Sequence, residues 1–243
     1  MRHGPDRTPV PDDARPQRIT GRIVDVVVGE IYPGALICAG GRLVRIERSG
    51  GTPGGPYLMP GLVDAHVHVE STLLVPSEFA RLAVARGTVA VVSDPHEIAN
   101  VLGIEGIRYM MDNGRTVPLR FAFGVPSCVP ATPFETSGAV LDANDVARLL
   151  DDPAIPYLSE VMNFPGVIHA DPEVMAKIAA AKRAGKPIDG HAPALRGEAL
   201  RTYVAAGIAT DHETVAFDEA LEKIALGMKI IIREGSAARN FDA

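Results

Sequence analysis

From residue 62 onward, short apolar runs alternate with longer stretches in which apolar residues recur every three or four positions. The short runs are typical of strands buried on both faces of a parallel sheet, and the longer stretches are typical of the helices that cover such a sheet. Pro76 and Pro172 stand where a first helical turn tolerates a missing N–H, and Gly87 and Gly185 follow helical runs. The pattern predicts strands at 62–69, 89–94, 119–125, 157–162, 187–190, 208–211 and 229–233, and helices at 76–86, 104–113, 143–150, 172–184, 197–206 and 218–226.

This alternation predicts an α/β fold and favours a TIM-like (β/α)8 barrel over a doubly wound sheet. No G-x-G-x-x-G follows a predicted strand, which removes the main support for a dinucleotide-binding fold. About seven barrel strands are visible instead of eight, and a barrel that lacks one strand leaves two open edges. We therefore expect residues 59–243 to form an incomplete, C-terminally truncated barrel.

A different pattern precedes the barrel. Short strand-like runs at 19–28, 30–39 and 42–48 are separated by glycines and have the spacing of hairpins. They predict a small, partial β-sandwich module over residues 19–58. Residues 1–18 are rich in proline and charge and have no apolar core, so we expect a disordered tail there.

Composition narrows the class of protein. The 24 Lys and Arg residues and 30 Asp and Glu residues give a net charge of −6 without blocks of like charge, which does not suggest a nucleic-acid partner. No apolar run is long enough to cross a bilayer. Cys38 and Cys128 are too few for a disulfide framework, which favours a reducing cytoplasm.

The first candidate for chemistry is the predicted strand that follows Pro60-Gly61. A strand places residues two apart on one face, so Asp64, His66 and His68 point the same way. Two neighbouring imidazoles on a rigid strand can form half of a metal site, because neutral histidine nitrogen suits zinc, iron and similar ions. The alternative is an edge strand with two solvent-facing histidines.

Further ligand-type residues recur where later strands end, which is the face of such barrels that carries chemistry. They are His96, Glu160, His191, His212 and Glu213. His96 could instead cap the following helix, and Glu160 could be an ordinary surface carboxylate. Glu213 is a candidate for proton transfer. Asp64 could lie in the second shell of a metal site and orient a histidine ring.

The motifs together resemble the amidohydrolase superfamily, and within it the adenine deaminases. The stretches that carry the resemblance are 59–71, 94–101, 189–193 and 211–214. Many members bridge two metals with a carboxylated lysine after strand four, but the first lysine here is Lys177, and Glu160 stands in that place. The resemblance implies a barrel of the amidohydrolase type with a binuclear divalent metal centre, manganese or iron, whereas spacing alone would equally allow zinc. It assigns His66 and His68 to one metal, His191 and His212 to the other, and Glu160 to both.

The resemblance also implies an activity. The expected reaction is hydrolytic deamination of adenine to hypoxanthine and ammonia, with Glu213 and His96 as the acid–base candidates. The expected partner is therefore a small molecule, adenine, and neither nucleic acid nor a membrane; we also expect a homo-oligomer. Two alternatives stay open: another amidohydrolase, such as a cyclic-amide hydrolase or an N-acetyl amino-sugar deacetylase, and a truncated, inactive fragment.

Overall fold

The computed structural model describes residues 16–52, 54–132, 134–235 and 239–241. The chain divides into two compact units, with the boundary between Gly61 and Leu62. Most of the predicted tail at 1–18 lies outside the described residues. Its last two positions, Gln17 and Arg18, belong to the first strand instead.

The first unit is a four-stranded sheet in the order β3-β2-β1-β4. The strands predicted at 30–39 and 42–48 are found with those bounds, whereas the strand predicted to reach residue 28 ends at Asp25. The carboxylate of Asp25 accepts the N–H groups of Val27 (3.0 Å) and Val28 (3.2 Å), which turns the chain toward the next strand. The four strands are β1 (Gln17–Asp25), β2 (Glu30–Ala39), β3 (Arg42–Arg48) and β4 (Tyr57–Leu58).

The second unit alternates strands and helices, as the pattern predicts. Its strands are β5 (Leu62–Val67), β6 (Thr88–Ser93), β7 (Arg120–Phe123), β8 (Leu158–Val161), β9 (Ile188–Gly190), β10 (Thr210–Asp211) and β11 (Lys229–Ile230). Its helices are α1 (Pro76–Val84), α2 (His96–Gly114), α3 (Ala143–Leu150), α4 (Phe164–Ile168), α5 (Pro172–Arg183), α6 (Gly197–Ala205) and α7 (Phe217–Ala225).

These seven strands form one parallel arc in chain order. Ladders join β5 to β6 to β7, β8 to β9, and β10 to β11. A bridge between Val125 and Leu158 joins the arc after β7, and the N–H of Ala209 donates to the carbonyl of Ile188 (3.1 Å) before β10. Among the described residues, β5 pairs only with β6 and β11 only with β10. The α/β fold is therefore an incomplete (β/α)8 barrel, and that prediction is confirmed.

Two helical segments differ from the prediction. Helix α2 consists of two helical stretches that meet at a kink at Gly103 (φ 60°, ψ −140°); the second matches the helix predicted at 104–113, and the first, which begins at His96, was not predicted. Helix α4 was not predicted, since Pro165-Gly166 is typical of a turn. It forms because the side chain of Asn163 accepts the N–H of Gly166 (2.9 Å) and caps the short helix.

Candidate metal centre

Polar side chains from four strands meet at the carboxyl ends of the arc. His66 lies on β5 and His68 just after it, Glu160 lies on β8, and His191 and His212 directly follow β9 and β10. The carboxyl ends of parallel strands lie at one rim of the barrel, which is why residues so far apart in sequence come together. The structure thus brings all five predicted ligands into one cluster.

Glu160 is the centre of this cluster. Its side chain is 2% exposed, and each oxygen contacts two imidazoles. Oε1 lies 3.2 Å from Nε2 of His68 and 3.3 Å from Nδ1 of His96. Oε2 lies 2.7 Å from Nδ1 of His191 and 3.0 Å from Nε2 of His212. Burial raises the pKa of Glu160, but these four histidines outweigh burial and hold the pKa well below its ordinary value.

His66 on β5 and His68 just after it face each other through their Nε2 atoms, which lie 3.0 Å apart. Nδ1 of His68 lies 3.0 Å from the carbonyl oxygen of Asp94, and Nδ1 of His66 lies 3.1 Å from Oδ2 of Asp189. Both partners are acceptors, so both Nδ1 atoms carry hydrogen and each neutral ring has its lone pair on Nε2. Two lone pairs at this distance repel each other unless a proton or a metal ion lies between them.

The rings around Glu160 therefore attract a cation. Burial lowers the pKa of His68, yet Glu160 and Asp94 raise it to about 9. Nδ1 of His212 is buried and has no hydrogen-bond partner among the described residues. The His212 ring stacks on that of His66 with 3.7 Å between centroids, so neither ring is free to turn away.

The donor set fits a transition metal. Three groups of side chains have ligand atoms within 4.8 Å of one another, and all combine imidazole nitrogen with carboxylate oxygen. Such mixed sets suit zinc, iron and manganese. The groups are His68, Asp94, His96 and Glu160; His66, Glu160 and His212; and His191, His212 and Glu213.

The two acid–base candidates border this cluster. His96 is the first residue of α2, and Nδ1 of its ring also lies 3.1 Å from Oδ2 of Asp94. Burial lowers the pKa of His96, but Asp94 and Glu160 raise it to about 11. Glu213 Oε1 is 3.6 Å from Nε2 of His212 and forms an ion pair with Arg233 (2.8 Å). Arg233 follows β11 and holds the Glu213 carboxylate at the rim.

Among the described residues, Asp64 makes no hydrogen bond to a ring. Its Oδ1 accepts the backbone N–H of His66 at 3.1 Å, within the same strand. The side chain that holds the His66 ring is Asp189 of β9, which also accepts the N–H of Gly190 (2.9 Å). The sequence reasoning missed this role of Asp189. Its position two residues before His191 marks it as a strand-end residue, but it does not indicate which ring it contacts.

The sequence reasoning also missed Asp94 and Arg233. Asp94 is 1% exposed and contacts His96 directly, and its position at the end of the second predicted strand was a signal for it. For Arg233 the only signal was its place as the last residue of the seventh predicted strand. His169, a histidine outside the cluster, is exposed at the end of α4.

Residues 57–236 match the model of the amidohydrolase family. The chain belongs to the amidohydrolase family. Members of this family depend on metal ions, and the His, Asp and Glu cluster of this amidohydrolase could bind one. Among the residues described, none of the helices combines the length and the apolar character needed to cross a membrane.

Curated relatives of this amidohydrolase include adenine deaminases. That of Methanosarcina barkeri is 60% identical over 226 residues, which cover 93% of this chain and 41% of the relative. That of Salinibacter ruber is 59% identical over 224 residues, covering 92% of this chain and 41% of the relative. The chain thus spans about two fifths of the length of these relatives.

Solved structures share the fold at low sequence identity. N-acetyl-D-glucosamine-6-phosphate deacetylase from Mycobacterium smegmatis is 19% identical with a TM-score of 0.52, covering 80% of this chain and 59% of that one. N-isopropylammelide isopropylaminohydrolase from Burkholderia multivorans is 17% identical with a TM-score of 0.52, covering 86% of this chain and 66% of that one. At these identities the likeness concerns the fold alone.

Proposed function

We propose that this chain provides the metal centre of an enzyme that hydrolyses adenine to hypoxanthine and ammonia. The observation that supports the proposal most is the 60% identity to the adenine deaminase of Methanosarcina barkeri across 93% of the chain. The reaction balances with water as the only co-reactant: a C6–O bond forms, the C6–N6 bond breaks, and the amine leaves with a proton.

His66 and His68 would hold one divalent ion, His191 and His212 a second, and Glu160 would bind both. The support is geometric, because each oxygen of Glu160 contacts imidazoles from a different part of the rim. Manganese or iron is the proposed metal, and the nitrogen and oxygen donors also suit zinc. When bound, such ions lower the pKa of water toward about 7, so that hydroxide is available at neutral pH.

The remaining side chains orient the ligands and carry protons. Asp189 and the carbonyl of Asp94 fix the two β5 rings so that both Nε2 atoms face the centre. Glu213 and His96 lie at the border of the cluster, where a group that protonates the departing amine is needed. Arg233 fixes Glu213 in that place. Asp64 supports the strand backbone only.

We infer further that the protein is a cytoplasmic homo-oligomer. The free cysteines Cys38 and Cys128 agree with a reducing compartment. The oligomeric state is measured by light scattering coupled to size-exclusion chromatography, and a monomer over the working concentration range contradicts it.

The function is tested by ammonia release from adenine with a version extended to the length of the relatives and loaded with Mn²⁺ or Fe²⁺, because this chain spans about two fifths of them. We expect His66→Ala to lose metal and activity together, because it removes a ligand from β5. His169→Ala is the matched control, since it replaces an exposed histidine at the end of α4 and should retain both. Wild-type turnover by His66→Ala rules the site out. Acetate release from N-acetylglucosamine 6-phosphate without ammonia release from adenine rules out the substrate.

A further inference from the structure

Lys223 of α7 is a fully buried cation beside the metal-site cluster. Its side chain is 0% exposed, and four acceptors share the three hydrogens of its Nζ: the carbonyl of Ala192 (2.7 Å), Oδ2 of Asp211 (2.9 Å), Oγ1 of Thr214 (3.0 Å) and Oε1 of Glu219 (2.6 Å). A buried ammonium is tolerated only when such partners replace its water. The ammonium is therefore completely enclosed by its own set of acceptors.

These contacts join the two strand ends that carry His191 and His212. Ala192 follows His191 in the chain, and Asp211 precedes His212. Oδ1 of Asp211 also accepts the N–H of Ala192 at 2.7 Å, so the two strand ends are joined twice. Glu219 accepts the N–H of Ala194 at 3.0 Å and extends the connection along the loop after β9.

Stability alone is a weak reason for such an arrangement, because replacing a whole buried ion-pair network by apolar side chains of similar volume is often neutral, although removing one partner is costly. Its directed hydrogen bonds do fix geometry. The backbone of Ala192 cannot shift relative to Asp211 without breaking contacts to Lys223. His191 and His212, which adjoin these two residues in the chain, are therefore held at a fixed separation as well.

We propose that Lys223 is a positioning residue that sets the separation and orientation of His191 and His212 for a shared metal ion. The inference rests on the proposed function, since it takes these two histidines as ligands of one ion. Lys223 itself contacts neither ring and acts through Ala192 and Asp211.

The test is metal binding by the full chain with Lys223→Met. Mutating a side chain that supports metal ligands typically weakens metal binding 10- to 100-fold. We therefore expect the dissociation constant of the Mn²⁺ ion held by His191 and His212 to rise by about that factor. The ion held by His66 and His68 should keep its affinity. Loading with Co²⁺ adds a spectroscopic signature, because a displaced imidazole changes the visible absorption of that ion.

Lys186→Met is the matched control. Lys186 also donates to backbone carbonyls, those of Leu150 and Asp152 (2.7 Å), but it precedes β9 at the end opposite His191. We expect it to lower the thermal midpoint without changing either metal affinity. Glu219→Gln is a milder variant that keeps the shape of the side chain, and it replaces Lys223→Met in the test if that variant does not fold. We expect it to weaken the binding of the same Mn²⁺ ion, but by a smaller factor.

The outcomes separate the two proposals. Wild-type affinities and an unchanged Co²⁺ spectrum in folded Lys223→Met overturn the positioning role while the metal centre stands. So does an equal loss of metal in Lys186→Met. A wild-type chain that binds fewer than two Mn²⁺ ions overturns the binuclear centre itself, and the inference with it.

Discussion

Gly190 is the position at which one added methyl group would test the geometry of the rim most directly. It is the last residue of β9 and immediately precedes His191. A Cβ at this position would lie 2.1 Å from the carbonyl oxygen of Thr210 and 2.7 Å from Cγ2 of Ile208. The first of these contacts is with backbone, so it cannot be relieved by a change of rotamer.

Gly190→Ala must therefore separate β9 from β10. Reaching an ordinary contact of 3.4 Å requires an opening of about 1.3 Å between the Cβ and Thr210. Overpacking of this kind costs about 1–3 kcal/mol. For a chain of this size that is a fall of roughly 2–12 °C in thermal midpoint. The same displacement moves His191 away from His212, so Mn²⁺ affinity should fall at least tenfold.

Thermal unfolding of the metal-free chain and Mn²⁺ titration of the folded chain measure the two effects. Gly50→Ala is the control, because its added Cβ meets nothing within 4 Å and its backbone does not need a positive φ. It should leave the midpoint unchanged or raise it slightly. If Gly190→Ala binds Mn²⁺ with wild-type affinity, the distance between the two strand ends does not control the site and the reasoning fails.

Three other predictions follow from buried polar groups and from mass action. The hydroxyl of Tyr157 has no hydrogen-bond partner among the described residues, so Tyr157→Phe should leave the thermal midpoint at pH 8 unchanged or raise the stability by up to about 1–3 kcal/mol; a lower midpoint contradicts this. Burial raises the pKa of Tyr157 well above 10, so above about pH 10 the unfolded chain releases this proton while the folded chain keeps it, and the stability falls. Phenylalanine has no such proton, so thermal scans from pH 8 to 11 should find a smaller fall in the variant. Lys177 donates to the carbonyls of Ser127 (3.0 Å) and Leu141 (2.7 Å), and Lys177→Met leaves both without this donor. The free energy of unfolding in urea should fall by about 1–3 kcal/mol, and an unchanged urea midpoint refutes a stabilising role for Lys177. Each Mn²⁺ ion present at a hundred times its dissociation constant should stabilise the chain by about 2.7 kcal/mol; His66→Ala should lose the share of the ion that His66 holds, and equal midpoints with and without metal contradict binding to the folded state.

The ligand cluster could be predicted because it depends only on local rules. The period of two along β5 puts His66 and His68 on one face. His191 and His212 each end an apolar run, and parallel strands in a barrel end at one rim. Neither inference needs the register between strands. The structure brings these side chains together around Glu160 for the same reasons.

The side chains that hold the ligands could not be predicted in this way. Strand period alone makes Asp64 the neighbour of His66, because the two share a face. The ring is instead held by Asp189, which is 123 positions away in the chain. That pairing depends on how far β9 is staggered relative to β5, and the sequence contains no local signal for this stagger. The contacts of Arg233 and Lys223 likewise depend on how separate elements are placed relative to one another, which no local pattern indicates.

Helix α7 shows where local patterning gives the right element but the wrong face. Hydrophobic spacing would bury Phe217 and Leu221 and expose the charges, yet Phe217 is 68% exposed and Leu221 50% exposed, while Glu219 and Lys223 are buried. Lys223 is inside because the strand ends present a carboxylate and a carbonyl that its ammonium satisfies together, and Glu219 is inside because it accepts from that ammonium and from the N–H of Ala194. Proteins depart from the local rules mainly where a site requires it. The burial of Glu219 and Lys223 and their hydrogen bonds therefore single out the same part of α7, and neither observation depends on a bound metal ion.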